Sequence, residues 1–323
     1  MNRIFYECRD VIAPSGGVRR LYRHVEILNK NGFSAYIVHH LPGFKPVWFE
    51  TNAPITYWTE QLKLDCDDVL VIPEGHTDVI IRTSGAKYKR VVIALNWANI
   101  YAHMPIGHDW RHFGIEHVIA GSRYEHEFIL RSMGLKSTVI VSGVDLTLFQ
   151  PSRDKKLQIA YMPRKNERWF HLIAAAFRSQ CPEYGDVPFV PIDNLAHRDV
   201  ARVMAESAIF LATGFPEGLA RPPLEAMACG CLVVGFAGRG SLEYMEHGRN
   251  CLLADDMDVL MAAEHLGAAA RGFQRGDGVE MQASARQTAI HYSMEKEEKT
   301  VVQYWMQFLS QRTEGQRETI DSV

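Results

Sequence analysis

The six cysteines include no Cys-x-x-Cys pair, and Cys229 and Cys231 flank what reads as the start of a buried strand. Neither a disulfide framework nor a zinc site is expected from such spacing. No apolar run approaches the roughly 20 residues needed to span a bilayer. Met1 leads almost at once into a strand-like segment, with no leader before it. A cytoplasmic chain with reduced thiols is the expectation. Charge of one sign is also missing: 35 Lys and Arg against 38 Asp and Glu leave −3, too little basic excess for bulk nucleic-acid binding. There is no Gly-x-Ser-x-Gly elbow and no Gly-x-x-x-x-Gly-Lys-Ser/Thr loop, which argues against serine hydrolases and P-loop NTPases. The dinucleotide fingerprint is absent as well. The second strand ends in His39-His40 where a nicotinamide enzyme wants an acid.

Metal chemistry finds little support. His108, His112 and His117 stand among Trp110, Arg111 and Phe113 with no carboxylate at helical spacing to complete a ligand set. Asp65-Cys66-Asp67-Asp68 contains an Asp-x-Asp, but it precedes a strand, where acidic loop residues are commonplace.

What is present is a twice-repeated alternation of strands and helices. At 323 residues, 47% apolar and 23% charged, two soluble domains are expected. Residues 3–8 read as a strand and 10–17 as a loop. Val18, Leu21, Tyr22, Val25 and Leu28 then form a helical stripe ended by Asn31-Gly32. Further strands are expected at 33–39, 69–72, 90–95, 117–120 and 138–141. A polar stretch at 150–156 looks like a linker. The alternation then restarts with strands at 158–162, 188–192, 209–212, 232–236 and 251–254, helices at 169–179 and 197–206, and a short helix near 242–246. This pattern predicts an α/β chain of two tandem Rossmann-like, doubly wound domains, 1–150 and 151–323, facing a cleft where such sheets bind ligands. A final helix at 294–312 carries Val301, Val302, Trp305, Phe308 and Leu309 on one face, and is expected to pack back on the first domain.

Three loops stand where that cleft would be. Ser15-Gly16-Gly17 opens the first helix, and its glycines let backbone approach a diphosphate or a sugar. Met162-Pro163-Arg164-Lys165-Asn166-Glu167-Arg168 crowds three cations after the first strand of the second domain, natural counter-charges for a departing diphosphate. Gly214-Phe215-Pro216-Glu217-Gly218-Leu219-Ala220-Arg221-Pro222-Pro223-Leu224-Glu225 joins a strand to a helix N-terminus, an anion site by construction. Two carboxylates at such a site would repel a phosphate, so they are read as facing hydroxyl groups. A ligand with both phosphates and hydroxyls is a nucleotide sugar. Arg19, Arg20, Arg23 and Lys30 make the first helix basic on its polar face, which reads as a solvated face, with contact to an anionic acceptor or a membrane surface as the alternative.

Together these residues resemble the retaining GT-B glycosyltransferases, most closely glycosyltransferase family 4. The resemblance rests on Glu217-x7-Glu225, the Ser-Gly-Gly loop, the domain-end signature Val141-Ser142-Gly143-Val144-Asp145 with Phe149 and Pro151, and the basic loop. It implies that Glu225 holds the ribose hydroxyls and Glu217 a hydroxyl of the donor sugar. The N–H groups of Leu219 and Ala220 would hold phosphate or sugar, near Gly16, Gly17 and Gly218. Arg164 and either Lys165 or Arg168 would neutralise the leaving diphosphate, with no metal or other cofactor. Two departures stand out. Ala220 and Arg221 replace a glycine and an apolar residue, and Asn96 stands where the family commonly offers a histidine near the reacting carbon. An amide there would bind and not titrate. The implied partners are a nucleotide-sugar donor and a glycan or other hydroxyl acceptor, in polysaccharide or glycoconjugate synthesis, with association at the inner face of a membrane left open. The alternatives are a non-catalytic sugar-nucleotide-binding module and a nucleotide-sugar epimerase of similar build.

Overall fold

In the computed structural model, which describes residues 2–320 and side chains through residue 310, the chain builds two parallel sheets in succession. Met1 and the last three residues of the expected second domain lie outside the described residues, as do the side chains of residues 311 and 312 in the expected final helix. The first sheet is made by β1 (Arg3–Glu7), β2 (Ser34–His39), β3 (Ile55–Tyr57), β4 (Val69–Pro73), β5 (Lys89–Ile93), β6 (His117–Ala120) and β7 (Thr138–Val139). Helices α1 (Gly16–Lys30), α2 (Thr77–Arg82) and α3 (Arg123–Met133) connect them. Its order, β3-β2-β1-β4-β5-β6-β7, reverses direction between β1 and β4.

The second sheet repeats the plan with β8 (Lys156–Tyr161), α4 (Glu167–Gln180), β9 (Phe189–Pro191), α5 (His197–Glu206), β10 (Ser207–Ala212), α6 (Arg221–Ala228), β11 (Leu232–Gly235) and β12 (Leu252–Leu253). Its order is β12-β11-β10-β8-β9, and it reverses between β8 and β10. Helices α7 (Val259–Arg275), α8 (Val279–His291) and α9 (Met294–Ile320) follow. Every residue of β4 and of β10 is buried, as expected for central parallel strands covered by helices on both faces. Each switch point opens a crevice beyond the carboxyl ends of the strands.

Local sequence explains most of these elements. The Ser15 hydroxyl caps α1 by accepting from Val18 N at 3.4 Å, and the Val18–Leu28 stripe is buried. The strand expected at 138–141 stops at Val139, because the Ile140 carbonyl turns to accept the Arg20 guanidinium. The helix expected near 242–246 is a 3-10 turn at Gly240–Glu243. Strand β3 and helix α2 have no counterpart in the sequence pattern: three half-buried residues and a six-residue helix are too short for periodicity to show.

The last helix returns to the first sheet. Val301 and Trp305 are fully buried in its core, and the Trp305 indole donates to Tyr6 Oη at 3.1 Å. The Glu297 carboxylate takes Arg23 Nε at 2.5 Å and the Gly143 N–H at 3.0 Å, while Lys30 pairs with Glu298 at 2.9 Å. The reading of a solvated basic face is therefore corrected for Arg20, which is buried, and for Arg23, which binds Glu297 of α9, while Lys30 pairs with Glu298 and stays exposed. Such tethering matters because an ion pair with one member at 0% exposure is costly to break from one side. The chain passes between the sheets at Val144 and comes back beside it, with Val144 N donating to Tyr292 O at 2.7 Å. Val144 and Phe149 already pack in the second core.

The histidines and acids set aside above have ordinary places. His108 and His112 lie against each other as tilted rings with centroids 4.9 Å apart, whereas His117 packs on Phe308 of α9. Asp68 binds Arg3 at 2.5 Å, fastening the start of β1.

Candidate active site

The loops after β8 and β10 are lashed to each other. Asn166, in the left-handed conformation at φ 64°, donates its side-chain amide to Thr213 O at 2.9 Å and Phe215 O at 2.7 Å. The Thr213 hydroxyl bonds the Lys165 carbonyl in return. This holds the Lys165 ammonium against the Glu217 carboxylate, over a shallow recess whose walls include Met162, Thr213, Gly214 and Pro222. Arg164 is exposed and has no carboxylate partner among the described residues. Arg168 lies in the first turn of α4 with its guanidinium 5.8 Å from the Trp169 ring centre. The geometry thus brings Lys165, and not Arg168, to Glu217.

Helix α6 begins at Arg221 with prolines in its first turn and no side-chain cap. Glu225 is 6% exposed on that helix. Facing it electrostatically are Arg221, Arg19 from α1 and His197 at the start of α5. Burial first, and the Arg221 charge second, lower the Arg19 guanidinium. Burial likewise lowers His197, with Glu225 opposing. Arg19 escaped the sequence reading because it comes near Glu225 only once the domains are folded together, and His197 because α5 and α6 are brought together only by the fold of the second domain. The one local signal was that Arg19 follows the Gly-Gly loop directly.

Two implied roles change. The Ala220 N–H does not face a ligand: it donates to Ser241 Oγ at 2.9 Å, while the Ala220 carbonyl accepts the Tyr244 hydroxyl at 2.6 Å. Serine 241 lies 21 residues further on, too far for the motif to reveal it. The Leu219 N–H has no acceptor among the described residues. Asn96 spans the cleft instead of pointing at a sugar. Its amide donates to Pro216 O at 3.0 Å and its carbonyl oxygen accepts from Ala98 N at 3.0 Å. Trp97 adds a second bridge, donating to Gly238 O at 3.1 Å. Gly16 faces open space, where a side chain would meet nothing within 4 Å, whereas Gly17 packs on Leu95.

Beneath Asn96 lie two buried acids. Glu74 accepts from Leu95 N and Asn96 N, each at 2.9 Å. Glu125 accepts from Gly121 N at 2.5 Å, and its Oε1 is buried without a partner among the described residues. Burial, reinforced by Glu125, pushes Glu74 up to about 8. Burial pushes Glu125 up to about 7 against the pull of Arg20. Folded, both keep a proton that the unfolded chain releases near the ordinary 4.5. Their stabilising contribution is therefore complete below that value and is lost progressively above it, the loss ending near about 7 for Glu125 and about 8 for Glu74. The melting temperature should fall between about pH 5 and about pH 8, and Glu125→Gln, neutral at every pH, should flatten part of that fall. Equal pH slopes for the two proteins in scanning calorimetry would remove this account.

Comparison with known proteins agrees with this geometry. Residues 181–270, which include the Glu217–Glu225 loop, match the glycosyl transferases group 1 family. An alpha-1,6-glucosyltransferase of Actinobacillus pleuropneumoniae serotype 7 (strain AP76) is 27% identical over 224 residues, 67% of each chain. Among solved structures, a glycosyltransferase from Rickettsia africae ESF-5 superposes with a TM-score of 0.71 at 14% identity, covering 95% of this chain and 98% of that one. Anabaena HepE in complex with UDP-glucose gives a TM-score of 0.72 at 16% identity, covering 94% and 99%. The fold is that of the GT-B glycosyltransferases, and the group 1 match and the glucosyltransferase relative support glycosyltransferase activity with a nucleotide-sugar donor.

Proposed function

We propose that the protein transfers a hexosyl or deoxyhexosyl group from a nucleotide diphosphate sugar to a hydroxyl acceptor, with retention at the anomeric carbon and without a metal, in polysaccharide or glycoconjugate synthesis on the cytoplasmic side. The observation that carries this reading is the recess where Lys165 meets Glu217, preceded in the same loop by Arg164, which has no carboxylate partner among the described residues. The bond between the anomeric carbon and the diphosphate oxygen breaks, and negative charge grows on the phosphate. Arg164 and Lys165 stabilise that charge where it develops, in the place a divalent ion would otherwise take. Glu217 holds a hydroxyl of the donor sugar, and Glu225 the ribose. The acceptor oxygen bonds to the anomeric carbon on the face the diphosphate leaves. Its proton passes to the departing phosphate, so no protein base is needed.

The glucosyltransferase relative and the UDP-glucose complex make UDP-glucose the first donor to try. Incubation of the full chain with UDP-glucose and a panel of methyl glycosides, followed by proton NMR of the anomeric region, should show UDP release and a new α-linked product. A β-linked product would overturn retention. Conversion to an epimeric UDP-sugar without UDP release would favour an epimerase, and nucleotide-sugar binding with no turnover a non-catalytic module.

A further inference from the structure

The carboxyl edge of the first sheet carries a second polar cluster outside the donor site. Glu7 ends β1, His40 directly follows β2, and His76 lies three residues past the end of β4. Sheet order places these three strand ends side by side. The Glu7 carboxylate is 0% exposed, and accepts from His40 Nε2 at 2.5 Å through one oxygen and from His76 Nδ1 through the other. The two rings are partly open, at 33% and 14%. With one nitrogen of each ring bound to Glu7, the tautomers are set by the carboxylate. His40 Nδ1 and His76 Nε2 are left with no partner among the described residues.

We propose that Glu7, His40 and His76 form the subsite that receives the hydroxyl groups of the acceptor sugar, a proposal that rests on the glycosyltransferase reading above. The outward nitrogen of each ring offers a lone pair when the ring is neutral and an N–H when it is protonated. A hydroxyl both donates and accepts, so a pair of adjacent sugar hydroxyls meets either arrangement, whereas an anion would ask for two donors. Burial opposes ionisation of Glu7, yet the bonds from His40 and then His76 hold it below the usual carboxylate range. The Glu7 bond in turn raises His40. Other charges act on the cluster from each neighbouring element. Asp10 lies 3.0 Å from His39 and accepts from the His40 N–H, and Arg82 of α2 opposes the charge on His40.

The cluster is tied to the reaction centre by one short segment. Glu74, two residues before His76, holds the backbone of Asn96, and Asn96 holds Pro216 of the donor loop. Between them, Gly75 packs against Asn99, with 3.7 Å from its built Cβ to that side chain. An acceptor on His40 and His76 therefore lies along the same segment that meets the donor loop.

Two substitutions keep the inner bond and remove only the outward atom. The amide nitrogen of His40→Gln reproduces Nε2, and that of His76→Asn reproduces Nδ1. With UDP-glucose as donor and methyl α-D-glucopyranoside as probe acceptor, the half-saturating glycoside concentration should rise about tenfold in each variant, the effect of one lost hydrogen bond. The Kd for UDP, measured by calorimetry, should stay within about twofold, which a general loss of structure would not allow. Independently of turnover, the glycoside should shift the ring-nitrogen NMR resonances of His40 and His76 in the wild-type chain. Unmoved resonances, or half-saturation equal to wild type in both variants, overturn the proposal. Should the rings respond while no nucleotide sugar is ever turned over, the subsite stands and the transferase reading falls.

Discussion

Gly218→Ala is expected to lower transfer by about two orders of magnitude, the scale on which a 1 Å misplacement of reacting groups acts. The built Cβ would overlap Glu125 Oε1 and lie 2.5 Å from the Leu95 carbonyl oxygen and 3.0 Å from Asn96 Cα. None of these can give way cheaply. Leu95 O and Asn96 Cα are backbone, and Glu125 is buried with its other oxygen bound to Gly121 N. The donor loop and the first domain would have to move apart, breaking the bridges from Asn96 to Pro216 and from Trp97 to Gly238. Because the recess belongs to the second domain, UDP affinity should suffer less than kcat. A variant with near-wild-type kcat/KM would mean that this cross-domain contact is not part of the working conformation.

Arg164→Ala carries the other large effect, a loss of about 10²–10³ in kcat from removing one charge-stabilising donor. Arg164 has no carboxylate to neutralise it among the described residues, so its charge is available to a ligand. Arg164→Lys should recover part of the rate, since a point charge remains where a bidentate clamp is lost. Lys165→Ala should fall in the same range, whereas Arg168→Ala should cost far less, because Arg168 lies over Trp169. Single-turnover kinetics with labelled UDP-glucose separate the chemical step from binding. Undiminished single-turnover rates in Arg164→Ala would end the charge-stabilisation role.

How much of this was legible beforehand depends on the distance over which each signal acts. The apolar run of β10 and the capped, striped α1 are local patterns, and they show in the sequence. So does the loop from Glu217 to Glu225, because a strand, a glycine-rich turn and a proline-led helix follow one another directly. Signals made by packing do not show. Ala220 looked like a ligand-facing backbone group until Ser241 was found to hold it, and Asn96 like a sugar contact until Pro216 was found beside it. The buried acids Glu74 and Glu125 and the trio of Glu7, His40 and His76 come from separate strands, with no shared spacing. Arg23 looked solvated because the helix that covers it arrives more than 260 residues later, and Arg20 because its partner, the Ile140 carbonyl, lies at a distant strand end.

That returning helix has a mechanical consequence. The chain leaves the first domain beside Val144 and re-enters it beside Ser293, and these two passages are bridged to each other. The second domain is therefore held at both of its ends, at nearly one point. Sliding or detachment of one domain from the other is opposed by two covalent connections, and swivelling about that point by the bonds from Asn96 to Pro216 and from Trp97 to Gly238. Those bonds are the latch on a swivel whose pin is the Val144–Ser293 pair.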